Sequence, residues 1–493
     1  MKRAAGILMH ISSLPGKYGI GTLGKNAYEF ANFLKKSGQT LWQILPIGPT
    51  SFGDSPYQSF SVHAGNPYFI DLELLCEDGL LSKIDCNHFN FGDSPINVDY
   101  KKIYDNRFKL LKKAFMSFKD SRDTQFNKFK LENRAWLFDY SLFMAVKSHY
   151  NMAPWHNWPD ENIKTRTADS VEYYSELLKN EIEFFMFLQY LFYSQWAKLK
   201  KYVNSLGIKI IGDMPIYVGL DSADTWSYPE VFWLDCNKKP VKVSGCPPDG
   251  FSPKGQLWGN PLYNWKYLKS TNYSWWINRI KTVNKLFDIT RIDHFRGFDS
   301  YYAIPFGAND ATCGEWLNGP GIDFFNMLKE KLGDISIIAE DLGFLTASVK
   351  KLLKDTGYPG MKVLQFAFES QKENDYLPHN YVKNSIAYTG THDNDTIVGW
   401  FKNGRKNDIL HAVEYGALNE TEGYSWGLIR LCYASVSKAV IIPMQDFLGL
   451  DSRSRMNIPS TVGGNWTWRV LKEQITDDLA DKIKHLTKLY GRI

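Results

Sequence analysis

The sequence predicts an α/β protein whose main unit is a (β/α)8 TIM barrel with large insertions after strands 2 and 3. Eight short apolar segments have the length of buried strands: 6–11, 40–45, 208–211, 289–293, 335–339, 361–366, 385–389 and 439–443. Helical patterns separate most of these segments, among them 28–36, 183–206, 324–332 and 349–356. Strands and helices that alternate in this order are typical of a parallel sheet closed into a barrel.

The first helix and the strand after it show how these elements are assigned. Residues 28–36 carry apolar side chains at helical spacing, and Gly38 ends the helix. Residues 40–45 follow as an apolar run that Pro46 closes. The same succession of helix, glycine and apolar segment recurs at three later glycines: Gly207, Gly333 and Gly357.

Two connections are much too long for a simple barrel. Residues 47–179 follow the second strand and carry helical patterns of their own, at 107–118 and 137–149. Residues 217–286 follow the third strand and are rich in Trp, Pro, Gly and Asp. Because barrel loops after strand ends build the active site, we expect a single catalytic barrel over residues 1–493, with both regions as inserted subdomains and the second also acting as an active-site lid.

Composition and charge narrow the class of protein. The 493 residues are 44% hydrophobic and 23% charged, which is ordinary for a soluble globular enzyme. The net charge of +5 is small for this length and the lysines are scattered, so no nucleic-acid partner is expected. No apolar run is long enough to span a bilayer, so no membrane partner is expected either.

Cysteine usage and the N-terminus favour a cytoplasmic enzyme without cofactors. The six cysteines form no CxxC pair and no Cys/His cluster with zinc spacing. The apolar run at the N-terminus is too short for a convincing signal segment. The chain contains no GxGxxG or Walker-type segment. We therefore expect neither a metal nor a nucleotide cofactor.

Charged side chains follow successive predicted strands: Asp213, Arg291 with Asp293, Glu340 with Asp341, and the run 391–395. Alternation along a strand puts Arg291 and Asp293 on one face, where the guanidinium holds the carboxylate ionised, as a nucleophile requires. A purely structural Arg–Asp pair explains that segment alone equally well. Since Arg291 and His294 beside Asp293 argue against a divalent metal, the dense carboxylates favour chemistry that needs one ionised and one protonated carboxyl, as in glycoside cleavage.

Eight further stretches carry a resemblance to a known family: SPYQS at 55–59, HAGNP at 63–67, GCPPDGFS at 245–252, GQLWGNPLYNW at 255–265, RIDHFRGF at 291–298, EDLG at 340–343, THDN at 391–394 and NWTWR at 465–469. Through them the chain resembles the 4-α-glucanotransferases, also called amylomaltases or disproportionating enzymes. The similarity covers nearly the whole chain. The chain differs from the family at one visible position. Family members often have the sequence Pro-Gly-Thr, whereas this chain has Ser460 in place of the glycine, between Pro459 and Thr461.

The resemblance implies three catalytic carboxyl groups. Asp293 would be the nucleophile and Glu340 the general acid/base, while Asp393 would grip sugar hydroxyls and favour a distorted ring. The resemblance also implies a set of substrate-binding residues: Ser55, Tyr57, Asp213, Asp249, Gln256, Trp258, Arg291, His294, Asp341, His392 and Asn465. From the residues alone, His294 fits a structural histidine equally well, and Trp258 fits a core residue better than a sugar contact.

The reaction implied by the resemblance is the transfer of a 1,4-α-glucan segment from a donor maltooligosaccharide to the 4-hydroxyl of glucose or another glucan. The alternative is an α-glucan hydrolase, which would share the fold and the carboxyl groups but use water as the acceptor. The glycine- and proline-bearing segment 245–259, with Trp258, is the predicted lid that would exclude water. A non-catalytic glucan-binding protein is a third reading, disfavoured because all three carboxyl residues are present.

Overall fold

The computed structural model describes residues 3–51, 53–119, 123–248, 252–343, 345–369 and 374–493. These residues contain twelve strands, in chain order β1 (Ala4–Leu8), β2 (Leu41–Gln43), β3 (Lys209–Met214), β4 (Lys242–Cys246), β5 (Gln256–Pro261), β6 (Ile289–Ile292), β7 (Ser300–Pro305), β8 (Glu315–Asn318), β9 (Ile337–Ala339), β10 (Gly360–Val363), β11 (Ser385–Tyr388) and β12 (Ala439–Pro443).

Eight of these strands form one parallel sheet in the order β10-β11-β12-β1-β2-β3-β6-β9. The sheet closes into a barrel between its two end strands, β9 and β10. There the Ala339 amide donates to the Pro359 carbonyl at 2.9 Å. All eight predicted strands are present, so the predicted (β/α)8 fold is confirmed. Two predicted ends were wrong, since the chain turns into 3-10 helices at Ile11–Ser13 and Leu364–Phe368, where apolar composition alone does not mark the turn.

The helix predicted over 107–118 begins seven residues earlier, at Tyr100, and the other predicted helices begin and end within about four residues of their predicted bounds. In chain order the helices are α1 (Lys25–Lys36), α2 (Leu72–Glu77), α3 (Lys83–Asn87), α4 (Tyr100–Phe118), α5 (Thr124–Glu132), α6 (Leu137–His149), α7 (Glu161–Thr165), α8 (Ala168–Leu177), α9 (Lys179–Ser205), α10 (Ala223–Ser227), α11 (Trp265–Ser270), α12 (Ser274–Leu286), α13 (Ile322–Leu332), α14 (Ala347–Thr356), α15 (Ile397–Asn403), α16 (Lys406–Gly416), α17 (Tyr424–Ala434), α18 (Met444–Phe447) and α19 (Asp477–Leu489). No helix in the described part of the chain is long and apolar enough to cross a bilayer.

The long connections have structure of their own. Helices α2 to α8 lie between β2 and β3, and α6 packs against α9. A second, antiparallel sheet has the order β5-β4-β7-β8 and joins strands from both sides of β6 in the chain. The sequence did not predict this sheet, because its strands are short and several contain glycine or proline. The last helix of the 217–286 region, α12, packs on β3 and β6.

A buried ion pair ties the first long connection to the loop that follows β3. The Lys147 side chain on α6 is only 2% exposed and lies 2.5 Å from Asp221 Oδ2. The Trp155 backbone amide donates to Asp221 Oδ1 at 3.1 Å, and its indole donates to the Leu220 carbonyl at 2.6 Å. This loop leads back to Tyr217, which lines the cleft described below, so the pair helps to fix one wall of the cleft.

The Lys147–Asp221 ion pair gives a prediction about stability, in which one substitution serves as the control for the other. Asp221→Asn keeps the shape but leaves the Lys147 charge buried without its partner, and we expect the free energy of unfolding to fall by about 3–5 kcal/mol. Lys147→Met removes the buried charge at similar volume and leaves Asp221, whose side chain is 24% exposed, near water. Denaturant titration should therefore show a clearly smaller loss for Lys147→Met. Equal losses in the two variants would contradict this account.

Candidate active site

The carboxyl ends of the barrel strands open into a cleft of about 440 Å³. This volume lies in the range of small-ligand sites. Most of the predicted site residues line the cleft: Ser55, Tyr57, Gln256, Trp258, Arg291, Asp293, His294, Glu340, His392 and Asp393. The barrel and the antiparallel sheet thus contribute to the same cavity.

Arg291 joins two carboxylates at the ends of β3 and β6. Its Nη1 lies 2.7 Å from both oxygens of Asp213 and donates to Asp293 Oδ1 at 3.0 Å. The strand register pairs Asp213 with Arg291, and Asp293 lies two residues further along on the same face. The side chains of Arg291 and Asp213 are 4% and 0% exposed, whereas that of Asp293 is 29% exposed.

This geometry orients Asp293 and leaves it accessible. A guanidinium at hydrogen-bond distance fixes the carboxylate oxygen to which it donates. Within the described ranges, Asp293 Oδ2 has no hydrogen-bond partner, so one oxygen is held and the other is available to the cleft. The Tyr57 hydroxyl donates to Asp213 Oδ2 at 2.8 Å, which completes the support behind Arg291.

Glu340 follows β9 and is held by backbone amides. The His294 amide donates to Oε2 at 2.6 Å, and the Leu342 amide donates to Oε1 at 3.0 Å. His294 can offer its amide in this direction because its backbone is left-handed, with φ of 52°. The turn that follows the Asp293 strand end therefore also positions the second carboxyl group.

The environment raises the pKa of Glu340 to about 7. Burial is the largest cause, and the nearby negative charge of Asp293 adds to it, while Arg291 and the two amides oppose the shift. The Glu340 amide donates to the Ile292 carbonyl at 3.0 Å, so the two carboxyl residues lie on neighbouring strands. The site thus pairs a carboxylate held by a guanidinium with a carboxyl group whose pKa lies near neutral pH.

Asp393, after β11, is held from a part of the chain that the sequence analysis did not single out. The Asn457 side-chain amide donates to Asp393 Oδ1 at 2.7 Å, and Arg455 donates to the Asp393 carbonyl. His392 Nε2 lies 3.4 Å from the same Oδ1. The His392 ring also stacks on Tyr57, with ring centroids 4.9 Å apart and planes at 15°. No motif or spacing in the sequence pointed to Asn457 or Arg455.

An aromatic wall comes from β5. Trp258 donates its indole N–H to Gln256 Oε1 at 3.0 Å, so Gln256 fixes the orientation of the ring. The His294 ring meets Trp258 edge-on, with centroids 4.9 Å apart and planes at 87°. Burial, with Arg296 nearby, lowers the pKa of His294 to about 3, so its ring is neutral. Among the described residues, His294 Nε2 is buried and has no hydrogen-bond partner.

Three predicted substrate-binding residues in the described ranges do not line the cleft. Asp213 lies behind Arg291, and Asp341 is buried with its Oδ1 accepting the Met361 amide at 2.6 Å. Asn465 uses its side chain inside its own loop, where Oδ1 accepts the Ile458 amide at 3.1 Å. Asp249 lies outside the described residues. For the first three, the polar atoms already have protein partners, so the structure gives them supporting positions.

No group of three or more His, Cys, Asp or Glu side chains in the described ranges is arranged to hold a metal ion. In the cleft, Asp213 and Asp293 face Arg291, and both Glu340 oxygens accept backbone amides. These positive and donor groups offset the negative charge that a divalent cation would otherwise balance. A parallel barrel with such carboxyl groups at its strand ends defines an enzyme whose chemistry depends on carboxyl side chains.

Comparison with known proteins identifies the enzyme family of this chain. A family model described as 4-alpha-glucanotransferase matches residues 9–474. A 4-alpha-glucanotransferase from Clostridium butyricum is 54% identical over 486 residues, covering 98% of this chain and 100% of the relative. One from Streptococcus pneumoniae is 48% identical over 494 residues, covering 100% of this chain and 98% of the relative.

The similarity extends to three dimensions. The solved amylomaltase from Streptococcus agalactiae in complex with acarbose superposes with a TM-score of 0.97 at 45% identity, with 100% of both chains covered. The chain therefore belongs to the 4-α-glucanotransferase family, as the sequence motifs predicted.

Proposed function

We propose that this enzyme moves a 1,4-α-glucan segment from a donor maltooligosaccharide to the 4-hydroxyl of glucose or another glucan, by retaining double displacement. The observation that carries the mechanism is the contrast between Asp293, which accepts a hydrogen bond from Arg291, and Glu340, whose pKa burial raises to about 7. Family membership supports the substrate class, and a solved relative binds acarbose.

The first step uses both carboxyl groups at once. Asp293 attacks the anomeric carbon of the donor with its accessible oxygen, while Glu340 protonates the departing glycosidic oxygen. The bond to the leaving chain breaks and a covalent glycosyl-enzyme forms on Asp293. Asp293 loses its negative charge when it bonds to the sugar. Arg291 then stays paired with Asp213, so the buried guanidinium keeps a carboxylate partner throughout the reaction.

The second step reverses the roles. Glu340, now ionised, takes the proton from the acceptor 4-hydroxyl, whose oxygen attacks the anomeric carbon and releases Asp293. The amides of His294 and Leu342 stabilise Glu340 in this ionised state. The pKa near 7 suits a group that must give and then take a proton within one cycle.

The remaining cleft residues bind sugar. Asp393 and His392 meet at Oδ1 and Nε2 and can grip neighbouring hydroxyls of the reacting ring. Trp258 offers an aromatic surface, and Gln256 accepts the indole N–H with its side-chain oxygen. Among the described residues its side-chain NH2 has no partner, so this group is available to a sugar oxygen. Segment 245–259 is the proposed lid that favours an acceptor sugar over water.

The proposed unit of function is the whole chain, 1–493, with 47–179 and 217–286 as inserted regions around the cleft. The position of Tyr57 in the first region and of Trp258 in the second supports this division. The cytoplasmic location stays a prediction from the sequence.

Incubation with maltotriose alone tests transfer against hydrolysis. Transfer leaves the total number of reducing ends constant while glucose and longer oligosaccharides appear, whereas hydrolysis raises that number with each turnover. We expect near-constant reducing ends, and Asp293→Asn, which keeps the side-chain volume, should lose at least about a hundredfold in rate. A rise in reducing ends that matches glucose release would identify a hydrolase instead.

The pKa of Glu340 predicts an alkaline limit to activity. Because the acid must be protonated when the donor binds, kcat/KM for maltotriose should fall about tenfold per pH unit once the pH passes about 7. The control is the donor α-maltosyl fluoride, whose fluoride leaves without needing a proton. Its kcat/KM should therefore not fall as the pH rises above about 7. An undiminished kcat/KM for maltotriose at pH 9, or the same decline with the fluoride donor, would refute the assignment of Glu340.

A further inference from the structure

Residues 457–466, here called the rim loop, follow the strand ends and border the cleft. Pro459 and Ser460 line the cleft together with Asn457 and Trp466 at the two ends of the loop. Ser460 has φ of 64°, in the left-handed region that serine rarely occupies.

The rim loop is held firmly enough to maintain this conformation. At its start, Asn457 donates its backbone amide to the His392 carbonyl at 3.1 Å and its side chain to Asp393. At its end, Asn465 accepts the Ile458 amide and donates to Thr461 Oγ1 at 3.0 Å. The loop is therefore closed on itself and anchored to two residues of the catalytic cleft.

No hydrogen bond of the Ser460 side chain accounts for its left-handed backbone. Ser460 is exposed, and its hydroxyl makes no hydrogen bond to another described residue. A glycine would adopt the same backbone without strain. Strained residues held by their surroundings concentrate at functional sites, and here the strained residue presents a free hydroxyl to the cleft.

We propose that Ser460 is a sugar-binding residue whose hydroxyl hydrogen-bonds a hydroxyl of the bound α-glucan. The proposal rests on the function proposed above and adds a substrate contact from the rim loop. The loop is joined through Asn457 to Asp393 and lines the same cleft, so a glucan bound at Asp393 can also meet the Ser460 hydroxyl. Because that hydroxyl takes no part in the bonds that form and break, its loss acts on affinity and leaves the chemical step unchanged.

Two substitutions separate the hydroxyl from the strain. Ser460→Ala removes the hydroxyl and keeps a strained backbone, whereas Ser460→Gly removes both. We expect both variants to raise KM for maltotriose about three- to tenfold with little change in kcat, which is the effect of one lost hydrogen bond. Ser460→Gly alone should raise Tm, by about 1 °C.

Ala417→Gly is the matched control. Ala417 is exposed, also has a left-handed backbone with φ of 46°, and does not line the cleft. It should raise Tm as Ser460→Gly does and leave KM at the wild-type value. Binding of maltotriose to Asp293→Asn and to the Asp293→Asn/Ser460→Ala double variant, measured by calorimetry, should show the same loss of affinity as KM.

The outcomes distinguish the two proposals. Wild-type KM and maltotriose affinity in Ser460→Ala would overturn the role of Ser460, as would a rise in KM that Ala417→Gly reproduces. If the wild-type enzyme transfers glucan normally in these assays, such a result removes only the Ser460 contact. If the wild-type enzyme fails to transfer glucan at all, the proposed function fails first.

Discussion

The contact on which the site depends is the buried bridge from Asp213 through Arg291 to Asp293. A guanidinium that is 4% exposed is costly to bury, and it is stabilised here by two carboxylates and the hydroxyl of Tyr57 behind them. The bridge exists because parallel register pairs Asp213 with Arg291 on neighbouring strands. It fixes one oxygen of Asp293 and keeps the other in the cleft, so the barrel itself orients the proposed nucleophile.

The second carboxyl group follows from the same piece of backbone. His294, directly after Asp293, turns left-handed and directs its amide at Glu340, so the two carboxyl groups cannot move independently. Burial raises the pKa of Glu340, and the two amides limit that rise. One turn of chain thus places a carboxylate held by Arg291 beside a carboxyl group whose pKa burial raises to about 7, and glycosyl transfer needs two carboxyl groups in such different environments.

Sequence alone could predict the barrel, because buried parallel strands are continuous apolar runs. It could also place Asp293 and Glu340 at strand ends, whereas the catalytic roles of Asp293, Glu340 and Asp393 came from the family resemblance and stay a prediction. The antiparallel sheet was missed because its strands come from both sides of β6. The support that Asn457 gives to Asp393 joins residues 64 apart in sequence, and the inward use of Asn465 depends on how its loop closes. Only the folded chain reveals such pairings.

The central claim is that Asp293 carries the sugar between donor and acceptor, and trapping that state tests it directly. Glu340→Ala removes the acid/base, and Gln is unsuitable because its NH2 would face a backbone amide donor. With α-maltosyl fluoride this variant should form the glycosyl-enzyme and break it down slowly. Mass spectrometry of the intact protein should show one added maltosyl group, and peptide mapping should locate it on Asp293. A sugar on another residue, or turnover without any covalent adduct, would contradict the account.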